Sequence, residues 1–500
     1  MLLAVDLSTV LTVAYLGLLG LVCFYGLHRW WLVWMFYRHR ADQTRPPSRF
    51  KQLPTVTVQL PMYNEGRVAE RVIDAACRLD YPTDRLQIQV LDDSTDDSAD
   101  IAAEHVQRWA DRGVNIELRH REDRTGYKAG ALAEGLDSAT GDLIAIFDAD
   151  FVPERDFLRR TVHHFTDPDV GMVQTRWTHL NGEDSELTRA QAIFLDAHFI
   201  VEHGARHTSG RWINFNGTAG IWRRAAIDQA GGWEHDTLTE DVDLSYRCQL
   251  AGWKFVYTPR VRCPAELPPE INAFKSQQHR WTKGSIQAAL KLLPRILTSH
   301  ASPAVKIEAF FHLTSPMVYL FLTAMVLLFY PAIVVNIRPW GDGMLWTLIG
   351  LSLFAMGTVS ASVFYIASQQ AQGRNGWSTL IRLPVLMAIG IGIAVNNARG
   401  CIEALIGHDS PFVRTPKYQD TAAASRGVNL IPTPSVKTWM AGLEVGLGLY
   451  VLACAALSMT RDYRVIALPF LLLFAAGYLS VGLASLHRQV QCRRAVAASG

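Results

Sequence analysis

The chain has 500 residues, more than a single ordinary hydrophobic core takes up. Hydrophobic residues make up 49% of it and the net charge is +2, so bulk charge points neither to nucleic acid nor to an acidic partner. Seven cysteines without a C-x-x-C pair argue against a disulfide framework or a zinc site and fit a reducing compartment.

The first element is TVLTVAYLGLLGLVCFYGLH, residues 9–28, about long enough to cross a bilayer. Its start is acidic (Asp6) and no small-residue cleavage site follows, so residues 1–40 read as an anchor rather than a signal peptide. Arg29, Arg38, Arg40, Arg45, Arg49 and Lys51 come next, with Trp30, Trp31, Trp34 and Tyr37 among them. Basic flanks face the cytoplasm and aromatic residues sit at the interface. The large domain that follows is therefore expected to be cytoplasmic.

From residue 55 short apolar runs alternate with helical patterns. VTVQL, LQIQVLDD, NIELRH, LIAIFDAD and VGMVQTRW read as strands, and 65–79, 96–112 and 127–138 as helices between them. That alternation predicts a doubly wound, mostly parallel α/β sheet, which binds ligands at the carboxyl ends of its strands. Polar groups gather at those ends: Asn64 and Glu65 after the first strand, Asp92 and Asp93 after the second, Asp148 and Asp150 after the fourth. Three such clusters on one rim suggest a site. Neither G-x-G-x-x-G nor G-x-x-x-x-G-K-[ST] is present, so dinucleotide and P-loop chemistry are not indicated. A carboxylate pair can instead hold Mg²⁺ or Mn²⁺, and the metal can bridge a diphosphate. The D-x-D spacing recurs at Asp167/Asp169 and Asp241/Asp243; the position after a buried strand singles out Asp148/Asp150.

Residues 284–300 place Ile286, Leu290, Leu293 and Leu297 on one helical face, with Lys291 and Arg295 nearby. This reads either as an interfacial amphipathic helix or as an ordinary core helix. Further spans are expected near 311–335, 344–367, 440–459 and 465–486, giving about five in all with the anchor. The run at 383–395 has 13 apolar residues and contains Pro384, short for a crossing. If it does not cross, Arg399, Arg414, Lys417, Arg426, Lys437 and the basic tail 487–500 all lie inside. The expected organisation is an anchor at 1–40, a catalytic domain at 50–283, an interfacial helix at 284–300, and two spans at 311–367. An interfacial segment with a loop follows at 376–436, then two spans at 440–486.

Asp93, then D-A-D at 148–150, then T-E-D at 239–241, then Q-x-x-R-W at 277–281 resembles the processive inverting glycosyltransferases of family 2. These include cellulose and hyaluronan synthases and the cellulose-synthase-like mannan and glucomannan synthases, whose arrangement of anchor and catalytic domain is the most similar. The resemblance covers roughly residues 50–425. It implies a GT-A-type catalytic domain in the cytoplasm, a nucleotide-sugar donor, a growing polysaccharide as acceptor and a bilayer setting, expected to be a bacterial inner or plasma membrane. Residue by residue it implies that Asp93 holds the base end of the nucleotide. Asp148 and Asp150 meet the diphosphate and its Mg²⁺ or Mn²⁺, Asp241 acts as general base beside Glu240, and Gln277 and Arg280 contact the donor diphosphate. Trp281 then stacks on the acceptor sugar, Lys128 resembles a donor-pocket lysine, and Phe215, Asn216, Gly217 and Thr218 match a small-residue motif near the acceptor. Phe412, Arg414, Thr415 and Lys417 resemble a cytoplasmic gating loop, departing from the F-x-V-T-x-K pattern of cellulose synthases.

The chemistry is coherent on its own terms. A nucleoside-diphosphate leaving group needs its charge neutralised, and an acceptor hydroxyl needs a carboxylate in reach. Asp241 follows Thr239, a good helix N-cap, where the helix dipole favours the ionised form. Trp177 and Trp222 read equally as acceptor-path or packing residues, and Glu444 as a snorkelling or a bundle-paired acid. A non-processive glycolipid transferase and a silent nucleotide-sugar-binding scaffold are the competing readings, and no residue separates UDP-glucose from GDP-mannose.

Overall fold

The computed structural model describes residues 7–40, 45–334, 344–408, 438–460 and 467–499. The five expected strands form as β1 (Val56–Met62), β2 (Leu86–Asp92), β3 (Ile116–His120), β4 (Leu143–Ile146) and β5 (Val170–His179). Two more, β6 (Gly220–Arg223) and β7 (Lys254–Ala265), complete a seven-stranded sheet in the order β3-β2-β1-β4-β6-β5-β7. All pairings are parallel except those of β6, which runs antiparallel to β4 and β5. The chain winds from β1 outward to β2 and β3, then returns to place β4 on the other side of β1. The crevice above the β1–β4 boundary is thus the topological switch point, where ligands of such sheets bind.

β1 and β2 alternate apolar with Thr and Gln, a pattern that suggests one wet face, yet both are buried throughout. The polar side chains satisfy each other between the strands: Thr57 with Gln87 at 2.8 Å and Gln59 with Gln89 at 3.0 Å. One face of the sheet packs around Val58, Leu60, Val72, Ile88 and Phe147, the other around Leu132, Ile144, Ile146, Phe215, Trp222 and Leu244.

Residues 284–300 are not a separate element. They form the second half of the 28-residue helix Ile271–Thr298. Of the buried stripe, Ala289, Leu292 and Ile296 pack on Tyr246, Ala309 and Leu313 and Ile286 packs on Cys401 and Ala404, while Leu290 and Leu297 stay exposed. The boundary expected at 283/284 falls inside that helix, which runs through it without a break.

Among the described residues four helices are long and apolar enough to cross a membrane: Leu7–His39, Gly376–Leu405, Thr438–Met459 and Leu468–Cys492. The pair Pro303–Thr314 and Met317–Leu327, bent by 54°, makes a fifth if it is one span. The helix Met344–Gln370 occupies the segment expected to span at 344–367. The run at 383–395, short by itself, belongs to the 30-residue stretch Gly376–Leu405, so its length is no bar to crossing. Small residues bring these helices together. A side chain at Gly392 would meet the Gly477 carbonyl at 2.5 Å, and one at Gly448 would meet Leu479 at 2.6 Å.

Candidate active site

The strand ends converge on one cleft of about 170 Å³. Its walls include Tyr63 and Glu65 after β1, Asp93 after β2, Asp148 and Asp150 after β4, and Glu240 and Asp241 from the start of helix Glu240–Leu250. Gln277, Arg280 and Trp281 close it from the Ile271–Thr298 helix.

Asp148 is held from two sides. Its N–H donates to Thr218 Oγ1 at 2.8 Å, and its carboxylate accepts from the Lys128 ammonium. Lys128 also donates to the Gly217 carbonyl at 2.8 Å, tying the D-x-D turn to the 215–218 loop. Burial alone would push the Lys128 ammonium down, but Asp148, Glu240 and Asp241 together hold it above its ordinary value. Gly217 needs its positive φ of 81°, and a Cβ there would sit 3.1 Å from Asp241 Oδ2.

Asp241 is pushed up to about 7, first by burial, then by the neighbouring Glu240 carboxylate, with Lys128 opposing. The helix-dipole expectation of a firmly ionised Asp241 is therefore outweighed by desolvation. Thr239 does occupy the N-cap position, but its side chain makes no capping bond. It is pressed instead against the backbone of Gly284, where any Cβ would lie 2.5 Å from Thr239 Cγ2. Gln287 Oε1 accepts from the Leu238 N–H at 3.0 Å. These two contacts dock the T-E-D segment on the helix that carries Trp281.

Asp93 is buried, and both its oxygens are taken by Arg121, at 2.7 and 2.6 Å. Arg124 lies 4.0 Å from the same carboxylate and stacks over Tyr63, 3.3 Å from the ring centroid. Any contact from Asp93 to a base is thus made beside two guanidinium groups that sequence reasoning did not name. Their one sequence signal is that they follow the end of β3 on the same rim.

The D-x-D carboxylates, Glu240 and Asp241 offer hard oxygen donors on one cleft, the chemistry Mg²⁺ and Mn²⁺ take. The Lys128 ammonium already sits where positive charge balances Asp148. These residues fit a divalent cation. Among the described residues the one tight group of three acids, Glu234, Asp236 and Asp243, lies elsewhere. Lys291 Nζ sits among them at 2.5, 2.7 and 2.9 Å, so a side chain fills that position.

Residues 54–284 match the domain family described as "Glycosyltransferase like family 2". A glucomannan 4-beta-mannosyltransferase 7 of Arabidopsis thaliana is 34% identical over 435 residues, 84% of this chain and 74% of that protein. The chain belongs to the cellulose-synthase-like family 2 glycosyltransferases, in their mannan-synthase branch. A glucomannan 4-beta-mannosyltransferase 2 of the same plant is 47% identical over 249 residues, covering 49% of this chain and 47% of that one. A rice (Oryza sativa subsp. japonica) glucomannan 4-beta-mannosyltransferase 1 is 41% identical over 337 residues, 64% of each chain. Against these last two the chain spans about half to two thirds of their own length. Among solved structures the mannosyltransferase PcManGT from Pyrobaculum calidifontis, in complex with GDP-Man and Mn2+, has the same fold, with a TM-score of 0.53 at 21% identity. That match covers 80% of this chain and 100% of that one.

For a family 2 glycosyltransferase the 215–218 motif divides in two. Asn216 and Gly217 line the cleft, but Phe215 is fully buried in the core, edge-on to Trp222 at 5.4 Å, and does not reach an acceptor position. Thr218 is buried and serves the Asp148 backbone. Trp222 packs in the same core, whereas Trp177 lines the cleft. Asn64 does not face a ligand. With φ 54° it closes the β1 turn by accepting from the Thr95 N–H at 2.8 Å. Phe412, Arg414, Thr415 and Lys417 lie outside the described residues. Sequence reasoning also missed His198, whose Nε2 meets Asn216 Oδ1 at 2.9 Å and whose Nδ1 meets Glu202 at 2.7 Å. Beyond Trp281 the cleft adjoins an apolar cavity of about 340 Å³ between the membrane-type helices, to which Gln277, Trp281, Tyr319 and Phe474 contribute.

Proposed function

We propose that the protein is a membrane-embedded, metal-dependent, inverting hexosyltransferase. It moves mannose from GDP-mannose to the 4-hydroxyl of a growing β-linked chain and passes that chain out between its own helices. The carrying observation is that the D-x-D, T-E-D and Q-x-x-R-W residues meet in one cleft, which adjoins an apolar cavity at Trp281. The mannosyl donor is favoured by what the relatives' names say they transfer; UDP-glucose is the alternative donor.

In this reading Asp241 takes the proton of the acceptor hydroxyl as its oxygen bonds to the anomeric carbon. The bond from that carbon to the diphosphate breaks on the opposite face, which inverts the configuration. The electron pair leaves with the nucleoside diphosphate, and Asp241 later releases its proton to water. A carboxylate poised near neutral pH suits this task. Lys128, Arg280, Gln277 and Trp281 line the cleft; in this reading the first three hold the diphosphate and Trp281 offers a flat apolar face to the acceptor pyranose. Asp148 and Asp150 would hold a divalent ion, which would neutralise charge on the leaving diphosphate.

We further read the anchor, the bent pair, 344–370, and the helices Thr438–Met459 and Leu468–Ser499 as the crossings, with the catalytic domain inside. The 376–405 segment then lies on the inner surface. Supporting this, both its ends touch the catalytic domain: Arg374 meets Asp196 at 3.2 Å, and Glu403 meets His279 at 3.2 Å.

Purified protein given GDP-mannose and UDP-glucose separately, with nucleoside diphosphate release followed, tests the donor. A long product digested by endo-β-mannanase supports the polymer reading. A single sugar on a lipid, resistant to that enzyme, replaces it with the glycolipid transferase.

A further inference from the structure

The helix that carries Gln277, Arg280 and Trp281 is fastened at its amino-terminal end to the membrane-type helices by two buried ion pairs. Lys275 and Glu444 are both fully buried, and Lys275 Nζ lies 2.6 and 2.7 Å from the two Glu444 oxygens. Ser485 Oγ is a third partner of the ammonium at 3.2 Å. The Lys275 carbonyl accepts from Asn396 Nδ2 at 2.8 Å. One turn earlier, Glu270 caps the helix through the Ala273 N–H at 2.9 Å and pairs with Arg488 at 3.1 Å. Four helices thus meet at Lys275: Ile271–Thr298, Ala394–Leu405, Thr438–Met459 and Leu468–Ser499.

Stability does not account for the Lys275–Glu444 pair. A buried ion pair is often matched or exceeded by apolar side chains of similar volume. What a buried pair adds instead is a fixed register between the helices that carry the partners. Lys275 stands two residues before Gln277 and six before Trp281, about 9 Å along one rigid helix. Gln277 and Trp281 line both the donor cleft and the apolar cavity, so any slip of this helix moves them relative to both. Asp93, Asp148 and Asp150 stand on the sheet rim and take no part in the four-helix junction.

We propose that the Lys275–Glu444 pair is a positioning device for the Q-x-x-R-W helix, setting where Gln277, Arg280 and Trp281 stand between the donor cleft and the apolar cavity. The inference rests on the reading of Trp281 as acceptor platform. Three variants of the full chain in lipid nanodiscs test it: Glu444→Gln, the double Lys275→Met/Glu444→Leu, and the swap Lys275→Glu/Glu444→Lys. The readouts are KM for a manno-oligosaccharide acceptor, GDP affinity with Mn²⁺, and thermal midpoint. Glu444→Gln is expected to raise the acceptor KM about tenfold and to weaken GDP binding about threefold or more, because Gln277 and Arg280 ride on the same helix. The apolar pair is expected to keep its thermal midpoint yet share the acceptor defect, and the swap to recover acceptor KM. An apolar pair with wild-type acceptor KM shows a packing role and overturns the proposal. Unchanged GDP affinity and acceptor KM in Glu444→Gln overturn it too. A wild-type protein inert towards the oligosaccharide overturns the acceptor reading of Trp281, and the inference with it, before any variant is compared.

Discussion

Replacing Asp241 by Asn removes one ionisable group and keeps its shape. Burial and Glu240 raise Asp241 from an ordinary 3.8 to about 7, so ionising it in the native protein costs at most about 4 kcal/mol more than in the unfolded chain. The native state keeps a proton that the unfolded chain gives up. The contribution of Asp241 to stability is therefore whole below about pH 4 and is lost as pH rises through about 7. Asp241→Asn should accordingly match the wild type in thermal midpoint near pH 3 and exceed it near pH 8, with about 4 kcal/mol as the ceiling on the gain. The catalytic effect runs the other way. Wild-type kcat/KM for the acceptor should climb with pH to a plateau above about 7, while the variant loses on the order of 10²–10⁴ in rate and shows no such limb. Its GDP-mannose affinity should stay within a few-fold. Stability profiles that coincide at both pH values would refute the burial argument, and near wild-type turnover by the variant would refute the role as base.

Asp150→Asn should abolish turnover and the metal dependence of GDP binding with folding intact; full wild-type activity in excess EDTA would count against metal assistance. Gly284→Ala forces a Cβ to within 2.5 Å of Thr239, so it should cut turnover with little change in GDP affinity, measured side by side. Phe215→Ala should lower stability by about 3–5 kcal/mol as a core truncation, read as a drop in thermal midpoint, with activity per folded molecule largely kept. Single cysteines at Ala371 and Ile406 should both be labelled from the cytoplasmic side; labelling from opposite sides would make 376–405 a crossing helix.

The strands to β5, the three helices between them and the D-x-D at the end of β4 were legible because each rests on local periodicity and a short-range turn. β6 escaped notice because its four residues follow an irregular loop, and β7 because Pro259 interrupts its pattern. T-E-D and Q-x-x-R-W were legible as a resemblance, and the fold brings them to the cleft with Asp148 and Asp150. Other features depend on what lies next to a residue across the chain. Phe215 became core because the other face of the sheet closed over it. Asp93 acquired Arg121 from the neighbouring strand end, and Glu444 met a lysine 169 residues away. Asp241 shows the division most clearly. Its sequence position set a helix start and a favourable dipole, an effect of up to about 2 kcal/mol. Only the tertiary structure set the depth of burial that reverses the balance, since desolvation is a property of the finished interior and not of the segment that enters it.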